Sequence, residues 1–310
     1  MLSKSGLKVG IALPQGFAEG AIDLAWLREY AVQAEAAGFD DLWSMEQITG
    51  RHAFLEPVAL LAYLSAITQT VRLGTAVLVT NLRNPLQLAK AVGTVDHLSG
   101  GRLSLGIGLG TNTRMYGAYG LPEDRRVARF IESIRVMKAL WTQEAATLEG
   151  DFWQLAGVPM EPKPAQKPHP PLWFGAHTEA AQLRALRHGN GWMGAGSTDI
   201  EEFFVELERM KALRAEAGHD DATFPLSKRI YLSIDEDEAK AKQRVEQQLG
   251  DFYGGGGDRA DSWSVYGPAS KVLETLQRMR EAGLTHLMLH PAPVDMRQLE
   301  LIAAKVAPEL

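Results

Sequence analysis

Cysteine is absent from the 310 residues, which excludes disulfides, thiolate nucleophiles and zinc–thiolate centres together. Long apolar runs are also missing. Stretches such as residues 58–64 are too short to cross a bilayer. There is no basic excess: 32 Lys and Arg stand against 38 Asp and Glu, a net charge of −6, so nucleic acid is not an expected partner. The opening MLSKSGLKVGIALPQG has no secretory core or cleavage pattern, and a cytoplasmic protein is expected. No Gly-x-Ser-x-Gly elbow and no Walker loop occur. What is present is ordinary for a globular chain: 45% hydrophobic and 23% charged residues. A chain of this length buries about three-quarters of its unfolded surface.

Short apolar runs alternate with helix-period segments. Strands are expected at residues 8–13, 41–44, 71–79, 103–107, 172–175, 191–195, 226–234 and 286–289. Helices are expected at 23–37, 56–69, 85–98, 123–141, 179–188, 199–217, 235–249, 268–282 and 295–306, several opened by Asp, Asn or Pro and closed by Gly. Two stretches break the pattern: a proline- and aromatic-rich insertion at about 147–171, and a glycine-rich, mobile loop at about 251–266. Repeated βα units pair in parallel with right-handed crossovers. Eight of them predict an α/β fold of the closed kind: a (β/α)8 TIM barrel, one domain over residues 1–310, with insertions after strands 4 and 7.

In such barrels chemistry sits where the strands end. Gly175, Ala176, His177 and Thr178 leave the fifth strand and enter a helix, where free amides and the helix dipole favour an anion. Gly194, Gly196 and Ser197 repeat the arrangement one strand later. Glycines that only make tight βα turns are the alternative. After the second strand come Glu46, an acid–base or hydrogen-bonding candidate, and Gln47. A salt-bridged loop acid is the plainer reading of Glu46. A metal hydrolase site could be assembled from Glu46, His177 and His290, but no closely spaced ligand cluster supports it, and no metal is expected. GIGLG, residues 106–110, is half a dinucleotide fingerprint without its acidic partner. Phe17, Phe54, Met115, Tyr116, Tyr119 and Tyr253 fall on loops that would roof the mouth, which suggests an apolar or aromatic small-molecule substrate.

Four segments in order, AEAAGFDDLWSMEQ (34–47), VRLGTAVLVTNLRNPLQLAKAVGTVDHLSGGRLSLGIGLG (71–110), PLWFGAHTEAAQLRALRHGNGWMGAG (171–196) and GLTHLMLHP (283–291), resemble the bacterial luciferase-like monooxygenase family. The resemblance implies an enzyme: an oxidoreductase or monooxygenase using FMN or coenzyme F420. It further implies a TIM barrel, often a homodimer, served by a flavin reductase where reduced FMN is needed. It places Thr75 and a non-prolyl cis peptide at Ala76–Val77 beneath the redox ring. Gly175 to Thr178 and Gly194 to Ser197 fall on the phosphate turns, and Asn112 where relatives contact the ring. Arg83, Arg114, Arg125 and Arg126 are candidates to meet the acidic tail of F420. One departure stands out. The family commonly has an acidic residue followed by His after the second strand, and here the pair is Glu46-Gln47. Glutamine exchanges no proton near neutral pH. Acid–base work then falls to Glu46 or to a group such as His52, His177 or His290, or the chemistry needs hydride transfer alone. A non-catalytic flavin-binding protein of the same lineage is the other reading of that loss.

Overall fold

The computed structural model describes residues 6–17, 21–49, 53–110, 116–253 and 255–310. Asn112 lies outside the described residues, as do His52, Arg114 and Met115. Eight parallel strands form the frame: β1 (Lys8–Ala12), β2 (Asp41–Ser44), β3 (Arg72–Thr75), β4 (Leu103–Gly108), β5 (Leu172–Gly175), β6 (Gly191–Gly194), β7 (Leu226–Ile234) and β8 (His286–Pro291). Each pairs with its neighbours in chain order, and β8 pairs back onto β1 with Lys8 opposite His286. The sheet therefore closes, and no edge of the cylinder is left unpaired.

Around it run α1 (Leu24–Ala36), α2 (Pro57–Ile67), α3 (Pro85–Leu98), α4 (Arg126–Thr142), α5 (Glu179–His188), α6 (Ile200–Glu216), α7 (Glu238–Tyr253), α8 (Ala260–Trp263), α9 (Ala269–Glu281) and α10 (Met296–Lys305). Their starts carry the expected chemistry. The side chains of Asp23, Asn84, Thr178, Asp199 and Asp295 accept from amides in the first turn, and Pro57 and Pro85 occupy first-turn positions that need no donor. Among the described residues no helix is long and apolar enough to cross a membrane.

The main core lies between cylinder and helices. A second cluster, Trp43, Ala76, Trp173, Met193 and Met288 with Val77 against it, fills the cylinder itself. Trp43 fits because its neighbours are small: a Cβ on Gly10 or Gly74 would come within 2.3 or 2.2 Å of the indole. The barrel is thus plugged below its mouth.

Three differences from the sequence expectation have physical causes. The run 71–79 is not one strand. It breaks at the cis Ala76–Val77 bond, after which Leu78–Val79 pairs with Ile107 and Gly108 of β4. The insertion after the fourth strand holds an antiparallel hairpin, Ala145–Glu149 with Gln154–Pro159. The Glu132 carboxylate of α4 clamps its turn, accepting from the amides of Asp151, Phe152 and Trp153 at 2.8–2.9 Å. The stretch 251–266 carries the end of α7, then α8, and Ser264–Gly267 adds a strand parallel to β7. Its glycines punctuate structure that apolar Ala260 and Val265 anchor.

Candidate functional site at the barrel mouth

At the centre of the mouth lies the segment after β3. The Thr75 hydroxyl is buried and donates to the Gly106 carbonyl at 2.7 Å, so it is spent inside the wall. The Ala76 amide donates to the Ser44 carbonyl at 2.6 Å, and the Ala76 carbonyl accepts from Arg229 at 3.0 Å. Val77 is half-buried, with glycines on both sides. A Cβ at Gly108 would approach its side chain to 2.6 Å and one at Gly175 to 3.3 Å. This leaves Val77 at the centre of a shelf that glycine at 108 makes possible and glycine at 175 keeps uncrowded.

On one side stand the turns after β5 and β6. The amides of His177, Thr178, Gly196 and Ser197 donate to no acceptor among the described residues. Thr178 and Asp199 then cap α5 and α6, so two helix N-termini flank the gap. Gly175 is exposed, whereas Ala176, Gly194 and Gly196 are buried and Ser197 is half-buried. The turns are held from behind. The Trp192 indole N–H donates to the Ala176 carbonyl at 2.7 Å. Lys228, fully buried in β7, donates to the carbonyls of Ala195 and Thr198. Burial pushes the Lys228 ammonium down to about 7, with Glu206 opposing that shift. The exposed His177 ring is paired through Nδ1 with the buried Glu206 carboxylate, whose own pKa burial raises. The residues left open here, backbone amides beside small side chains over a buried cation, fit a phosphate.

On the other side the loops after β1, β2 and β8 and the face of α7 enclose a cavity of about 340 Å³. Met45, Gln47, Phe54, Phe252 and His290 are in its wall. Met45 links it to the centre, since its sulfur lies 3.0 Å from the Arg229 Nη1 that also reaches Ala76. Arg229 is completed by Tyr253, whose hydroxyl accepts from Nη2 at 2.7 Å and contacts the Tyr231 hydroxyl at 3.0 Å.

The structure places Glu46 and Gln47 differently. Gln47 lines the cavity. Glu46 is turned away from it: its Oε2 accepts from the Val79 amide and its Oε1 from both Nε and Nη2 of Arg83, which also bridges to Glu56 at 2.7 Å. Burial raises the Glu46 pKa and Arg83 opposes it. Its geometry is that of a salt-bridged loop acid, and Arg83 is thereby committed rather than free for an acidic tail. Arg125 pairs with Asp151. Glu46 is held by Arg83 and His177 by Glu206, while the His290 nitrogens have no partner among the described residues, and the three do not converge as a metal site. The grouping within ligand distance among the described residues is instead His177, Glu202 and Glu206. Sequence reasoning missed Lys228, Arg229 and Tyr231. The signal was there: two adjacent cations inside the otherwise apolar strand LSKRIYLSI.

The family model for luciferase-like monooxygenases matches residues 7–292. The chain is 31% identical to an F420-dependent glucose-6-phosphate dehydrogenase of Kineococcus radiotolerans, over 98% of this chain and 97% of that one. It is 30% identical to an FMNH2-dependent dimethylsulfone monooxygenase of Pseudomonas putida, over 64% of this chain and 55% of that one. Against an uncharacterized protein of Mycobacterium tuberculosis the identity is 38%, with 54% of this chain aligned to 58% of that protein's length. Among solved structures, an F420-dependent secondary alcohol dehydrogenase with an F420–acetone adduct superposes with a TM-score of 0.83 at 19% identity, covering 97% and 99% of the two chains. The closed barrel agrees with that superposition, and the family match along nearly the whole chain shows that the protein belongs to the luciferase-like monooxygenase family.

Proposed function

We propose that this chain is an oxidoreductase that binds coenzyme F420 at the barrel mouth and moves a hydride between it and a small organic substrate. The observation that carries the reading is the pair of amide-rich turns, at His177–Thr178 and Gly196–Ser197, beside the glycine-bordered shelf at Val77. Together they suit a phosphorylated, planar group. When bound, the deazaflavin supplies two-electron hydride chemistry. The protein's part is to bind and orient. Amides grip the phosphate, and Lys228 keeps the second turn in shape from below while adding positive charge beneath it. Arg229 fixes the carbonyl of Ala76 under the ring position. Glu46 acts through Arg83 and Val79 as a positioning residue for the second and third loops. Gln47 faces the substrate side.

Two relatives support F420 over FMN. The F420-dependent dehydrogenases of Kineococcus radiotolerans and Amycolatopsis mediterranei align along 98% and 92% of this chain, against 64% for the FMNH2-dependent relative. A homodimer belongs to the same proposal, and a flavin reductase partner belongs only to the FMN alternative. The test is a fluorescence titration of the purified full chain with coenzyme F420 and, separately, with FMN. Saturable F420 binding with weaker FMN binding is expected. FMN binding alone would move the reading to a reductase-fed monooxygenase, and binding of neither would end it.

A further inference from the structure

His290, at the end of β8, is fully buried, yet both of its ring nitrogens lack a partner among the described residues. Buried polar atoms are nearly always satisfied, so two on one ring need an explanation. The ring is not simply packed away. Tyr231 lies at 4.7 Å and Phe252 at 5.5 Å between ring centroids, and these contacts hold its plane, while the residue lines the 340 Å³ cavity.

Of the cavity's other polar side chains, Gln15, Gln248 and Arg244 are committed, while Gln47, Gln247 and Asp251 also line it. The Gln15 side chain donates to the carbonyls of Met45 and Leu55 at 2.8 and 3.1 Å and accepts from the Met45 amide at 2.5 Å. Gln248 donates to the Pro291 carbonyl at 2.9 Å. The lining cation, Arg244, is bound to Asp235 at 2.8 Å, and Arg297 also reaches that carboxylate. Much of the remaining wall is apolar, including Leu13, Phe17, Phe54 and Val294.

We propose that this cavity is the substrate pocket and that His290 anchors in it an uncharged, mostly apolar molecule carrying one hydroxyl or carbonyl oxygen. Burial, and after it the Arg229 guanidinium, hold the imidazole well below its usual range. The ring is therefore neutral and offers one N–H donor and one bare acceptor on diverging edges, so a hydroxyl can pair with either nitrogen and a carbonyl with the N–H alone. Among the described residues an anion finds no free cation there to offset its desolvation, and the Asp251 carboxylate also lines the wall. The sugar phosphate of the full-length dehydrogenase relatives is thus a poor fit to this wall. The inference rests on the proposed function for its redox partner: Met45, shared between the cavity wall and Arg229, puts the pocket beside the shelf that would carry the ring.

The experiment uses the full chain with 15N-histidine, titrated in turn with cyclohexanol and with cyclohexyl phosphate. The His290 ring signals, identified by their loss in His290→Phe, are expected to shift with cyclohexanol and to stay put with cyclohexyl phosphate. Cyclohexanol affinity should fall about tenfold in His290→Phe, the worth of one lost hydrogen bond. Should that variant fail to fold, His290→Gln supplies the assignment, and the wild-type shifts remain decisive. Ring signals unmoved by saturating cyclohexanol, or moved more by cyclohexyl phosphate, overturn the inference. F420 titration of the same sample separates the two claims. Cofactor binding with silent His290 signals sinks the pocket alone, and shifted signals without cofactor binding sink the cofactor reading alone.

Discussion

The two halves of the barrel mouth are built from different materials. The rim after β5 and β6 offers backbone: unpaired amides, glycines and two helix starts, with its charges, Lys228 and Glu206, buried behind it. The rim after β8, β1 and β2 offers side chains: a largely apolar wall, a neutral imidazole and committed ion pairs. A backbone site tolerates many neighbouring sequences but fixes one ligand chemistry. A side-chain site changes with every substitution. One frame can therefore keep a shared phosphorylated ring and vary its substrates.

The largest break in this contrast should come from the side-chain rim. Arg83→Met leaves the Glu46 carboxylate buried without its cation, and about 3–5 kcal/mol of stability should be lost in urea unfolding. The loss should grow as pH rises, because the raised Glu46 pKa lets protonation relieve the orphaned charge at low pH. An unchanged unfolding midpoint at pH 8 would show that the pair contributes nothing. On the backbone rim, Gly196→Val pushes a side chain to within 2.6 Å of Arg229 and 2.9 Å of Tyr231. Overpacking of that kind costs about 1–3 kcal/mol. F420 affinity should drop roughly tenfold or more, while the cyclohexanol shift at His290 changes less, because the clash reaches that ring only through Tyr231. Equal loss of both would erase the division between the rims. A third prediction concerns the prop behind the backbone rim, Lys228. Its folded pKa of about 7 lies below the ordinary 10.5. Between those values the unfolded chain binds the extra proton, so this group makes stability rise with pH. The stability difference between wild type and Lys228→Met should therefore change across pH 7–10, and a flat difference in calorimetry would refute the shift.

The division also explains what could be seen from the sequence. Alternating β and α signals read the barrel correctly because each unit is a local pattern. The two amide turns were visible for the same reason: glycines after a strand and a cap before a helix are neighbours in the chain. Glu46 was placed at the right strand end, but its partner Arg83 lies 37 residues away and on another loop. Nothing local distinguishes a committed carboxylate from a free one. His290 drew notice only as a strand-end histidine, because Tyr231 and Phe252, which frame it, come from β7 and α7. The shelf at Ala76–Val77 came from the family resemblance and not from periodicity, which read 71–79 as a single strand.

Strand β7 has one further consequence. Successive residues of a strand point to opposite faces. Accordingly Lys228 props the second amide turn, Arg229 crosses to the third loop, and Tyr231 backs the imidazole. Three neighbouring positions thus couple cofactor grip and substrate choice mechanically. Anyone retargeting this scaffold should leave 228–231 untouched and diversify the short loops facing it, where a new pocket shape leaves the phosphate grip intact.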